Sequence, residues 1–311
     1  MSAPRTPPAR PTVKPSAKRG DGPTADVGTT GHVWDGIEEL NNPLPRWWLW
    51  TLYATIIWGV VYTVAYPAWP LVDRATSGFL GWSTRSEVAA EVARFETANA
   101  PLMDRLARIA PEGFPETLPD TLAKTLAEDP ALDAFAAQAG GAIFRNECSQ
   151  CHGAGAGGAK GYPNLLDDDW LWGGRIEEIA QTVTHGIRNQ TAPDARWSEM
   201  PAFADMLEPA QIDTLVRYVS DLSAQRATDP AGAALFADNC AACHGAEASG
   251  DRTQGAPALN DAIWLYGSAP ETIAHTIREG RFGVMPEMAK RLTKAEIIAV
   301  SAYVHQLGGG E

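Results

Sequence analysis

All four cysteines of this 311-residue chain fall in two copies of one pentapeptide, Cys-x-x-Cys-His, at residues 148–152 and 240–244. The copies sit inside a longer repeat. Phe144, Cys148, Cys151 and His152 recur 92 residues on as Phe236, Cys240, Cys243 and His244. Pro163, Leu165, Trp170 and Gly173 recur 94 on as Pro257, Leu259, Trp264 and Gly267, and Met200, Pro201, Tyr218 and Val219 recur 85 on as Met285, Pro286, Tyr303 and Val304. An unchanged order of landmarks predicts two domains of one type, with a longer loop before Met200 in the first. Each half reads as a helix entering the cysteine motif, a glycine-rich loop, a middle helix (residues 178–186 or 271–280) and a last amphipathic helix, "PAQIDTLVRYVSDL" or "KAEIIAVSAYVHQL". No strand pattern appears, so the expected class is all-α.

Cys-x-x-Cys-His is an attachment signature for c-type haem. Two thiols one helical turn apart reach two vinyl groups on one edge of a porphyrin, and the next residue's imidazole then lies under the iron. Cys148 and Cys151 would tether one haem and Cys240 and Cys243 the other, with His152 and His244 as axial ligands. A Cys₄ zinc site would combine both cysteine pairs, but structural zinc pairs lie closer in sequence, and zinc leaves the duplicated histidine unexplained. A thioredoxin-like redox pair wants a βαβ setting, and disulfides select no histidine. On the other face of each iron, Met200 and Met285 hold equivalent positions before a proline, and Met/His ligation suits an electron carrier. Met206 and Met288 compete nearby without matched partners, and neither His185 nor His275 recurs. Pro163 and Pro257 stand where a carbonyl can receive the imidazole N–H. Trp170, Trp172, Trp264 and Tyr266 can wall a porphyrin or simply fill a core. Arg175, Arg188, Arg278 and Arg281 can balance haem carboxylates or lie in solvent.

Ahead of the repeat, "WWLWTLYATIIWGVVYTVAY" (residues 47–66) runs twenty residues without a charge, about 30 Å as a helix, the thickness of a bilayer core. Tryptophan and tyrosine cluster at its ends as at membrane interfaces. Five basic and no acidic residues in the first twenty positions, with Arg46 at the membrane edge, predict a cytoplasmic N-terminus and an external C-terminal part. The first 31 residues, rich in Pro, Thr, Ala and Gly, read as disordered. Trp34, Ile37 and Leu40 then fall at helical spacing, as for a short interfacial helix. Residues 84–110 read as helices broken at Pro101. The chain holds 25 basic and 38 acidic residues; the first 46 positions take six and five, leaving 19 and 33, a net of −14. That acidity disfavours nucleic acid and suits a donor with a basic face.

The stretches "HVWDGIEELNNPLPRWW", "YPNLLDDDWLWGG", "THGIR" and "EMPAF" in the first half, and "GAPALND", "WLYG" and "VMPEM" in the second, resemble the dihaem-subunit family (CcoP, or FixP) of the bacterial cbb3-type cytochrome c oxidases. The resemblance spans His32 to the C-terminus. It implies a cytoplasmic arm (residues 1–45), a membrane anchor (46–69), a periplasmic spacer with helices (70–134) and two tandem class I cytochrome c domains (135–225 and 226–311). Two covalent haem c groups would be held, the first by Cys148, Cys151, His152 and Met200, the second by Cys240, Cys243, His244 and Met285. Electrons would pass from a soluble or membrane cytochrome c donor through both haems to a monohaem subunit and the haem–copper catalytic subunit, at the bacterial inner membrane. The chain itself would have no catalytic residues. Rival readings are a dihaem peroxidase, which needs one open iron, and a cytochrome anchor for a periplasmic dehydrogenase.

Overall fold

A computed structural model describes residues 28–110, 114 and 122–310; most of the arm expected to be disordered lies outside them. The chain forms two units divided at Glu91.

In the first unit the interfacial helix expected around Trp34 is instead an antiparallel hairpin of β1 (Thr29–Trp34) and β2 (Ile37–Leu40), with Trp34 paired to Ile37 and Val33 to Glu38. The local signal that prevails is Asp35-Gly36, both at positive φ (49° and 86°). A two-residue turn of that kind matches the twist of paired strands. The all-α expectation is corrected to that extent, and the fold is mostly helical. Helix α1 (Arg46–Ala65) follows, long and apolar enough to cross a membrane, with no residue buried within the chain. Beyond Tyr66 the backbone folds back, Phe79 and Leu80 donating to the carbonyls of Val64 and Ala65 at 2.8 and 3.0 Å.

Helix α2 (Thr84–Ile109) runs unbroken through Pro101, contrary to the break expected there. A proline inside a helix removes one backbone bond and crowds the preceding turn. Against that, the turns after Pro101 place Leu102, Met103, Leu106 and Ile109 on an apolar core, with Leu106 wholly buried. Leu122 and Leu126 of α3 (Leu122–Ala127) enter the same core, and α4 (Pro130–Glu147) begins five residues before residue 135. The end of the expected spacer is therefore part of the second unit.

The repeat folds into α4, α5 (Ser149–His152), α6 (Ile176–His185) and α7 (Pro209–Ser223), then α8 (Pro230–Asn239), α9 (Ala241–His244), α10 (Pro270–Glu279) and α11 (Lys294–His305). The leading helix of each half starts alike: Asp129 or Asp229 caps it through its carboxylate, and proline occupies the first helical position. Both residues relieve backbone N–H groups that have no partner inside the helix.

Pairing of the helices departs from a tandem layout, because the last helix of each half packs on the first and middle helices of the other. Helix α11 lies on α4 and α6, and α7 lies on α8 and α10. Aromatic landmarks show the exchange directly. Phe144 of α4 meets Tyr303 of α11 with ring centroids 5.5 Å apart, and Phe236 of α8 meets Tyr218 of α7 at 5.8 Å. Gly140 makes the first contact possible: a Cβ there would stand 2.1 Å from the Ala299 carbonyl oxygen. One set of cores thus joins α4, α6 and α11 (Phe144, Ile176, Ile179, Val183, Ile298, Val300), and another joins α7, α8 and α10 (Ile212, Leu215, Val219, Phe236, Ile273, Ile277).

Candidate haem sites

Each cysteine motif is one helical turn laid at the end of a longer helix. The Cys148 N–H closes α4 on the Phe144 carbonyl (2.9 Å), and the N–H groups of Cys151 and His152 return to the Cys148 carbonyl (3.1 and 3.0 Å). The second motif repeats this at Cys240, Cys243 and His244 with 2.8, 3.2 and 3.0 Å. Both thiols and the imidazole of a motif are thereby presented by a single turn. None of the four cysteines is paired in a disulfide, and burial pushes the thiols of Cys148 and Cys240 up to about 11. Among the described residues no cluster of three or more His, Cys, Asp or Glu side chains is placed to hold a metal ion.

The imidazoles are oriented from behind. Nδ1 of His152 lies 3.0 Å from the Pro163 carbonyl oxygen, and Nδ1 of His244 lies 2.9 Å from that of Pro257. With the proton on Nδ1, each ring donates to the carbonyl and leaves Nε2 as a lone-pair ligand. Burial lowers the pKa of both rings, against a smaller opposing effect of the carbonyl bond, which keeps them neutral and able to ligate.

The methionines change places. Met285, from the second half, lines the mostly apolar cavity of the first motif together with Phe144, Cys148, His152, Leu165, Trp170 and Val183. Met200, from the first half, packs against the cluster holding Cys240, Leu259, Trp264, Ile273 and Ile277. Backbone ladders fix both crossings. Met285 and Ile187 exchange two bonds of 3.0 Å and Met288 donates to Val183 (3.0 Å), while Met200 bridges Arg281 and Phe203 donates to Ile277 (3.0 Å). The structure therefore brings Met285 to His152 and Met200 to the His244 site. The expected groupings, Met200 with His152 and Met285 with His244, are corrected. Nothing in the repeat pattern distinguishes the two, because equivalent landmarks satisfy either pairing equally well. The one available signal is the six-residue connection between α7 and α8, which is short enough to favour packing of those helices on each other.

Gly186 and Gly280 let the strands cross. Both have positive φ with extended ψ (75°, −170° and 71°, −175°), a region open only to glycine, and a Cβ at either would lie 2.2 Å from the carbonyl oxygen of Met285 or Met200. Gly186→Ala is expected to cost roughly 1–3 kcal/mol in backbone strain alone and to loosen Met285. Gly280→Ala should do the same to Met200. Thermal unfolding and exogenous-ligand binding, measured on both variants, check this.

Residues 135–219 and 227–304 match the family model for subunit III of cbb3-type cytochrome c oxidase, and residues 26–73 match the model for the N-terminal domain of cytochrome oxidase-cbb3, FixP. The chain is 52% identical to the cbb3-type cytochrome c oxidase subunit CcoP of Cereibacter sphaeroides, over 96% of this chain and 99% of that one. It is 49% identical to CcoP of Rhodobacter capsulatus (96% and 99% covered) and 47% identical to FixP of Sinorhizobium medicae (92% and 96%). The chain belongs to the CcoP/FixP family of cbb3-type cytochrome c oxidase subunits.

A CcoP/FixP subunit is an electron-transport cytochrome of its oxidase, which implies c-type haem, and the residues present fit that group. The first cavity is mostly apolar, with His152, Asn164, Asp169 and Thr182 as the polar side chains on its lining. On its wall the Trp172 indole, 8% exposed, has an Nε1–H with no hydrogen-bond partner. An unpaired buried donor costs about 1–3 kcal/mol, and this edge of the indole packs against Gly255; an acceptor on a bound group would satisfy it. By contrast, Trp170 donates its Nε1–H to the Gly309 carbonyl. The remaining candidates sort by position. Met288 is core filling and Met206 is exposed. Arg175 closes the start of α6 on Glu178 and Arg278 pairs with Asp213, whereas Arg281 stacks on Tyr266 and Arg188 is held by backbone carbonyls. Arg196, absent from the sequence-derived candidates, lies over Trp172.

Proposed function

We propose that this chain is a membrane-anchored dihaem c-type cytochrome, relaying electrons from a cytochrome c donor to the monohaem and haem–copper subunits of a cbb3-type terminal oxidase. Cys148 and Cys151 would tether one haem between His152 and Met285. Cys240 and Cys243 would tether the other between His244 and Met200. Haem would supply one-electron redox chemistry, and with an imidazole and a thioether both held to its iron no position would remain for a substrate. The chain would then carry electrons and not catalyse oxygen reduction. The observation that carries this reading is the meeting of His152 and Met285 in one mostly apolar cavity, with Met200 packed on the cluster that holds Cys240 of the second motif.

The residues perform three tasks. Pro163 and Pro257 hold the imidazoles, the exchanged helices exclude water, and the acidic remainder draws a donor with a basic face. Helix α1 would anchor the chain in the inner membrane, being uncharged from Trp47 onward and having no residue buried against the rest of the described chain. The basic N-terminus favours a cytoplasmic start and periplasmic haem sites. The sequence repeats at 135–225 and 226–311 would each supply one cysteine motif to an interlocked pair of sites.

Purification in mild detergent tests the reading. Two haems per chain by pyridine haem spectrum are expected, with a peroxidase-stained band that survives a denaturing gel, recovered together with a haem–copper subunit. A colourless band overturns the haem assignment. Recovery with a quinoprotein or flavoprotein dehydrogenase and no haem–copper subunit overturns the oxidase role.

A further inference from the structure

Helix α11 stops at His305, but the chain stays on the molecule beyond it. The N–H groups of Gln306 and Leu307 close a turn on the carbonyls of Ala302 and Val304 (3.1 Å each), and Nε2 of Gln306 donates to Oδ1 of Asp133 on α4 (2.7 Å). Gly308, at a φ of 120° that favours glycine, then turns the backbone so that Gly309 is buried beside Asp167. There the Gly309 carbonyl receives the Nε1–H of Trp170. A Cβ on Gly309 would collide with the Asp167 carbonyl, and one on Gly310 with the His305 carbonyl. Three glycines in a row are what so close an approach requires.

Trp170 is part of the wall around His152 and Met285, packed on the core of Phe144, Ile179 and Val183. Its counterpart in the second half, Trp264, packs on the core beside Met200. Because the helices are exchanged, the segment equivalent to Gly308–Gly310 at that site is residues 223–225, which follow α7. That segment does not close down. Ala224, the counterpart of Gly309, is exposed, and the Arg226 N–H turns back to the Asp221 carbonyl (2.7 Å) as the chain moves on to α8. Among the described residues Trp170 is fastened by a backbone carbonyl and Trp264 is not.

Resting on the haem reading above, we propose that residues 308–310 are a strap that holds Trp170 across the first haem site and so sets the reduction potential of that haem alone. An indole fixed there keeps water out of the cavity. A drier wall disfavours the more highly charged ferric state, which raises the potential. Gly309 acts through Trp170 and is a positioning residue. The second site, whose tryptophan has no strap, is without this control.

Spectroelectrochemical titration of the detergent-purified full chain, beside variants that loosen the strap, reads this. The first haem is the component that Met285→His displaces. Ending the chain after Leu307 is expected to lower that component by roughly a three- to tenfold change in its reduced-to-oxidised ratio, tenfold being about 59 mV for one electron, and to leave the other in place. Gly309→Ala, whose Cβ pushes the strap away, should do the same in a chain of full length. Trp170→Phe keeps a ring but has no N–H to donate; it should lower the same component, and loosening the strap as well should add little. A purely structural strap would not require that non-additivity. If the truncated chain fails to fold, Gly309→Ala and Trp170→Phe, singly and together, make the same comparison. A first component unmoved by these variants, equal shifts of both components, or additive effects of strap and indole overturn the proposal while leaving two bound haems intact. A chain without two haems fails earlier, at the functional reading itself.

Discussion

A chain ended after Gln225 is expected to yield no stable haem protein, although it keeps the whole first repeat with Cys148, Cys151, His152 and Met200. Two independent tandem domains would make the same truncation a soluble-folding, one-haem fragment behind its anchor. The exchange of helices removes that possibility. Truncation takes away α11, whose Ile297, Ile298, Val300 and Val304 are at most 5% exposed and pack among the cores of α4 and α6. At about 1.5–3 kcal/mol for each large apolar side chain buried, their loss is comparable to the entire stability of a typical domain, about 5–15 kcal/mol. The truncated chain also lacks Met285. In-gel haem staining and thermal unfolding of the truncated chain measure the outcome; a folded one-haem product with a methionine-ligated iron would show that the halves close on themselves. Co-expression of residues 226–311 as a separate chain should restore both sites.

Met285→Ala should open the iron above His152, and Met200→Ala the iron above His244. The contrast is sharpest in a chain reduced to its first haem by Cys240→Ala and Cys243→Ala. There, Met285→Ala is expected to convert a reduced haem that ignores carbon monoxide into one that binds it fully, and Met200→Ala to leave it closed. Optical titration with carbon monoxide reads both variants. The reverse result would return each methionine to its own half. Loss of a thioether ligand should also lower the potential of the opened haem, because Met/His ligation raises it.

Local chemistry was legible in the linear chain. The cysteine motifs, the ring contacts of His152 and His244 with Pro163 and Pro257, the apolar helix α1 and the helix order of both halves all follow from patterns a few residues long. Two local readings went astray because a stronger neighbouring signal prevailed. Asp35-Gly36 turned a helical spacing of Trp34, Ile37 and Leu40 into a hairpin, and the burial of Leu102, Leu106 and Ile109 carried α2 through Pro101. Arg196 went unnoticed because a charged residue in a long loop ordinarily faces solvent, and only the fold lays it on Trp172.

By itself, the sequence determined what each half contains: one turn with two thiols and an imidazole, one methionine before a proline, and three helices with apolar faces. Only the tertiary structure decided which half completes which site. Duplicated segments present nearly identical surfaces, so closing on itself and crossing to its twin bury almost the same groups. The choice falls to the short connection between α7 and α8, and to the glycines that let Met285 and Met200 cross.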